Sequence, residues 1–162
     1  MPKRRGWRYD GPNSRLDVDV DGTTVARFDD STGVDVRTGD LTVQSGNLDM
    51  VAGTLDIQDG GAVTQATNRT TGVTLSNYSG KVTGDDASLA AVTIATHTVT
   101  NTLVAATDNV IITKVSGDAD TSAFVSAVAS GSFNVSVRNN PASGADTTAF
   151  VYNFALIKSA IA

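Results

Sequence analysis

The chain of 162 residues has no cysteine and no glutamate, and only one histidine, one tryptophan and three prolines. Without cysteine there is no disulfide, no thiolate metal site and no thiol nucleophile. Without glutamate, all seventeen acidic residues are aspartate, and the bidentate last ligand of an EF-hand loop is missing. The lone His97 has no Cys, Glu or second His to join it in a metal cluster or a triad. It is therefore read as a strand-surface histidine, or, should three copies meet on an axis, as one arm of an ion site. No stretch approaches the roughly 18 consecutive apolar residues of a membrane-spanning helix. Charged residues make up only 18%, so Thr, Ser and Asn must cover much of the surface.

What is present points to strands. Thr and Val form about a quarter of the chain, leucine is sparse, and helix formers other than alanine are few. Glycines recur every seven residues at Gly39, Gly46, Gly53 and Gly60, with apolar pairs in constant phase: Val34/Val36, Leu41/Val43, Leu48/Met50 and Leu55/Ile57. A coiled coil places its apolar residues three and four apart, and each glycine costs a helix about 1 kcal/mol against alanine. Spacing by two is the strand period. Each repeat is thus a short strand and a glycine turn, too small to bury its own apolar face. Four repeats in one chain leave almost nothing to stack on, which predicts a homotrimer with its axis along residues 34–60. The alternative is a run of ordinary hairpins in a monomer, and intertwined and side-by-side packing of the repeats both remain open. The trimer-interface residues on this reading are Val36, Leu41, Val43, Leu48, Met50, Leu55 and Ile57.

Before the repeats, Arg15-Leu16-Asp17-Val18-Asp19-Val20 alternates, Asp21-Gly22 is a two-residue hairpin signal, and residues 23–28 form the returning strand. The D-x-D-x-D-G run at Asp17 resembles the opening of a calcium loop, but Phe28 occupies the twelfth position. A hairpin is the reading. Weak calcium binding by Asp118 and Asp120, or Asp85 and Asp86, stays open. Residues 62–71 are polar and aperiodic, a junction. Beyond them, strands are predicted at 73–76, 80–83, 92–100, 109–115, 122–129, 132–138 and 148–157, separated by clusters such as Gly84-Asp85-Asp86 and Asn139-Asn140-Pro141. Strands at this spacing predict a β-sandwich or jelly roll. Phe150, Tyr152, Phe154 and Leu156 form its strongest core stripe. The organisation expected is an arm at 1–14, hairpin and repeats at 15–61, a junction at 62–71 and a sandwich at 72–162. The whole is all-β.

The net charge of −5 hides an asymmetry. Lys3, Arg4, Arg5 and Arg8 put four positive charges in the first eight residues, leaving eight basic against seventeen acidic residues, a net −9, on the rest. Tyr9-Asp10-Gly11-Pro12-Asn13 follows where a signal peptide would be apolar, so this is not read as one. A basic arm carrying Trp7 and Tyr9 suits docking on an acidic surface; a solvated tail is the alternative. The contact residues on the docking reading are Lys3, Arg4, Arg5, Trp7, Arg8 and Tyr9. Basic residues elsewhere are scattered, which argues against sequence-specific nucleic-acid binding. No phosphate-binding glycine loop is present, and no carboxylate pair is placed for hydrolysis, so neither an enzyme nor a cofactor or metal is expected.

Val20-Asp21-Gly22-Thr23-Thr24-Val25 resembles the hairpin lead-in of bacteriophage fibre and spike proteins, and Gly39-Asp40-Leu41-Thr42-Val43-Gln44-Ser45-Gly46-Asn47-Leu48 resembles their β-helical shafts. Gln65-Ala66-Thr67-Asn68-Arg69-Thr70-Thr71-Gly72-Val73-Thr74-Leu75 and Ala105-Ala106-Thr107-Asp108-Asn109-Val110 resemble β-sandwich modules of small phage virion proteins. The resemblance implies a structural role, as a homotrimer that decorates or cements a capsid by clamping the major capsid protein. The location implied is the virion surface after assembly in the host cytoplasm. Its sparsely charged surface suits such crowded packing. The alternative within the resemblance is a tail fibre, tailspike or head-fibre component that binds a host receptor or glycan. A secreted carbohydrate-binding module is a reading from another class.

Overall fold

The computed structural model describes residues 5–10, 15–20, 23–29, 33–36, 55, 57, 60–140 and 144–159. The described part is all-β and contains no helix, hence no helix long and apolar enough to cross a membrane. The chain divides into two compact units, Met1–Thr54 and Leu55–Ala162.

The first unit contains one antiparallel sheet in simple meander order: β1 (Arg5–Asp10), β2 (Arg15–Val20), β3 (Thr23–Asp29) and β4 (Gly33–Val36). β2 and β3 pair antiparallel as the hairpin reading expects, with Val20 opposite Thr23 and Arg15 opposite Asp29. The register shifts between Val18 and Asp19. Residues of the basic arm supply β1, in which Trp7 sits opposite Val18 and Tyr9 opposite Leu16. Leu16 and Val18 are half-buried. The first apolar pair of the repeat, Val34 and Val36, lies in β4 against Phe28 and Ala26 of β3.

The second unit contains two four-stranded mixed sheets. One has the order β10-β11-β8-β6 and the other β5-β7-β12-β9. The strands are β5 (Ala62–Thr64), β6 (Val73–Thr74), β7 (Ser79–Thr83), β8 (Ile94–Thr100), β9 (Asn109–Ser116), β10 (Thr121–Ala129), β11 (Ser132–Asn139) and β12 (Val151–Ile157). Four antiparallel pairings build these sheets, and a short parallel one closes an edge of each: β5 runs with β7 over three pairs and β6 with β8 over two. The stretch expected to be an aperiodic junction therefore contributes β5. Three residues are too few for alternation to reveal, and the pairing partner fixes them.

Alternation explains the inner faces. Val135 and Val137 of β11, Ala95 and Val99 of β8, and Tyr152, Phe154 and Leu156 of β12 are buried in one shared core. Phe133 and Phe154 meet edge to face, centroids 5.3 Å apart at 60°, which adds to the area each removes from water. The turns follow the glycines: Gly131, at φ 82°, lets β10 turn tightly into β11. Gly60, the last glycine of the sequence repeat, answers to a different need. A Cβ there would lie 1.3 Å from the Ser79 carbonyl oxygen, so the backbone at the head of this unit approaches β7 too closely for any side chain.

Candidate functional site

The residues expected to dock or trimerise are distributed as follows. Arg5, Trp7, Arg8 and Tyr9 lie in β1 and Val36 in β4, while Lys3, Arg4, Leu41, Val43, Leu48 and Met50 fall outside the described residues. Leu55 and Ile57 open the second unit and are 73% and 37% exposed. They are the last apolar pair of the repeat.

His97 is the main correction. Expected on a strand surface, it is 3% exposed. Its phase decides this: His97 stands between Ala95 and Val99, which point inward, whereas Thr96 and Thr98 point out. Its Nε2 lies 2.7 Å from the hydroxyl of Tyr152 on the opposing sheet. The rings are tilted, 5.8 Å apart. Burial holds His97 neutral, lowering its pKa from 6.5 to about 4, and pushes the Tyr152 hydroxyl up. Nδ1 of His97 is buried with no protein hydrogen-bond partner. A three-fold ion site built from this ring is ruled out by the sheet that covers it.

Around this pair sits a polar cluster. Gln65, Arg69, Asp85, His97, Phe150 and Tyr152 border a cavity of about 10 Å³, which is the scale of one water molecule. Gln65 donates through Nε2 to the carbonyls of Thr71 at 2.6 Å and Arg69 at 3.2 Å, and its Oε1 accepts from the Asp85 N–H at 3.0 Å. Arg69, 7% exposed, donates from Nε to the Ala87 carbonyl and from Nη2 to the carbonyls of Asp146 and Thr148. The Asp146 carboxylate lies 3.1 Å from Nη2. That Oδ2 lacks hydrogen-bond alignment, so the contact is electrostatic and the carbonyls take the directional bonds. Oδ1 accepts instead from the Thr148 N–H at 2.7 Å. Asp146 and Leu89 exchange backbone bonds at 2.9 and 2.8 Å. One guanidinium thus ties together three segments through their backbone carbonyls.

The aspartates considered for calcium serve their own turns. Asp85 Oδ1 accepts from Ala87 N–H and Asp118 Oδ1 from Asp120 N–H, at 2.7 and 2.8 Å. No group of three metal-ligating side chains occurs among the described residues. At the other end of the unit, the Asp108 carboxyl is held below its ordinary pKa, first by the Ala105 N–H and then by Lys158.

The outer face of β8, β11 and β10 is lined with hydroxyls. Thr96, Ser136 and Ser126 form a bridge across the three strands at 2.7 and 2.9 Å. Phe124, opposite Ser136, is 47% exposed beside them. Nothing in the sequence singled out Arg69, Asp146 or this face, because no local pattern marks a residue whose partner is tens of positions away. The chain matches no protein-family model, no curated protein and no solved structure.

Proposed function

We propose that this chain is a structural virion protein, a homotrimeric capsid decoration or cement protein that binds the major capsid protein of a phage head. On this reading the repeats wind or pack as a trimeric β-helix or β-prism, and the second unit is a β-sandwich of the jelly-roll kind projecting from the lattice. The chemistry is mechanical: many weak contacts per particle, multiplied by the three arms of each trimer. No catalytic step is assigned.

The supporting observation is the state of Leu55 and Ile57. Two apolar side chains, two residues apart and in phase with three earlier pairs, are 73% and 37% exposed in the single chain. Single exposed apolar residues are ordinary, but this pair continues a phased apolar series in the sequence, and on this reading two sibling chains supply its cover. Native mass measurement is expected to give three chains per particle, and Leu48→Asp with Leu55→Asp to give one. A wild-type protein of single-chain mass in dilute buffer refutes the reading.

The exposed Phe124 on a hydroxyl-lined face favours a second reading, a fibre component that holds a glycan by stacking and hydrogen bonding. Glycan-array binding lost in Phe124→Ala is the result that would move the assignment there.

A further inference from the structure

We propose that the His97–Tyr152 pair is an acid-sensitive latch between the two sheets of the second unit, closed while His97 is neutral and opened when it is protonated. The pair is a direct side-chain hydrogen bond between the two sheets, set at the margin of their apolar core beside the Gln65–Arg69 cluster. His97 comes from β8 of one sheet and Tyr152 from β12 of the other, and the side chains meet at 2.7 Å with both residues buried. A neutral imidazole needs only this one partner to hold its Nε2. A protonated one carries two N–H donors and a charge. Nδ1 has no protein hydrogen-bond partner, so whichever nitrogen takes the new proton, the charged ring holds an unpaired N–H in the core.

The surroundings do not favour the added charge. From β12, Tyr152 meets His97, and Arg69, from the segment after β5 and already a cation, borders the same cavity. Asp85, from the loop after β7, is the one carboxylate bordering the cavity. Its Oδ1 is committed to the Ala87 N–H. The neighbours of His97 on β8 and β11, namely Ala95, Val99, Val135 and Val137, carry no charge. Protonation therefore separates the sheets at the latch or is refused by the closed fold.

The geometry gives a direction. The folded pKa lies near 4 and the unfolded one near 6.5. The unfolded chain thus binds the proton first as pH falls. The latch contributes fully above about pH 6.5 and its contribution declines from there toward pH 4. From this group alone, the unfolding constant is about 30-fold larger at pH 5 than at pH 8.

The test uses the full chain, whose single histidine gives a single imidazole Cε1–H resonance. Urea unfolding followed by far-UV circular dichroism at pH 8 and pH 5 is compared between wild type and His97→Gln. A wild-type loss exceeding that of His97→Gln by about 30-fold supports the latch; parallel losses overturn it. Should His97→Gln fail to fold, the wild-type resonance decides. A folded signal that stays neutral below pH 5, or disappears only with the fold, supports the proposal. A signal that titrates near pH 6.5 in an intact fold overturns it.

Discussion

Among the described residues, Val92 is the one non-glycine residue with a positive φ. It adopts φ 55° in the turn before β8, with the side chain 54% exposed. A β-branched residue in the left-handed region carries a penalty of about 1–2 kcal/mol, which asparagine largely escapes. The turn is held by the Thr93 N–H and hydroxyl, both donating to the Ala90 carbonyl. Since the Val92 side chain buries little, Val92→Asn is expected to raise the stability of the second unit by about 1 kcal/mol, read as a higher urea midpoint. An unchanged or lowered midpoint would show that the side chain contributes packing after all. The same conformation explains why β8 begins at Ile94, two residues after the alternation in the sequence begins.

At the scale of elements, the loops of the second unit depend on buried polar side chains more than on their own turn residues. Arg69 and Asp146 stand 77 positions apart, yet together they join the segment after β5, the segment after β7 and the approach to β12. Removing one member of a buried ion pair leaves the other uncompensated, a loss on the order of 3–5 kcal/mol. Arg69→Ala is expected to fall in that range. The double variant Arg69→Ala with Asp146→Ala should lose less than the two single losses combined, by at least 1 kcal/mol in a double-mutant cycle. Additive losses would mean that the guanidinium acts on the backbone carbonyls alone. Asn101 and Asn139 serve similarly: Asn101 donates to the Asn77 carbonyl at 2.8 Å, and Asn139 to the Leu89 carbonyl at 2.9 Å.

For the whole molecule, the proposed role divides the labour between its segments. If the basic arm docks on a lattice, deleting residues 1–9 should abolish co-sedimentation with capsids. The deletion also removes most of β1, an edge strand of its meander, so the trimer mass and the circular dichroism of the remaining chain serve as the control. Binding that survives the deletion at full strength would place docking elsewhere. Loss of the trimer along with binding would mean that β1 supports assembly rather than contact.

Much of this fold is legible in the chain. The pairing of β2 with β3, the tight turn at Gly131 and the phases of β11 and β12 follow from side-chain alternation and turn chemistry, which are local properties that neighbouring residues settle between themselves. The seven-residue rhythm and the charged arm are likewise visible without coordinates. Long-range packing settled the rest. It turned His97 from surface to core, made a strand of Ala62–Thr64 and brought Arg69 to Asp146. The physical reason is that a buried polar group or a short edge strand is stable only through its partner. That partner is chosen by how the sheets stack, not by the residues beside it in the chain.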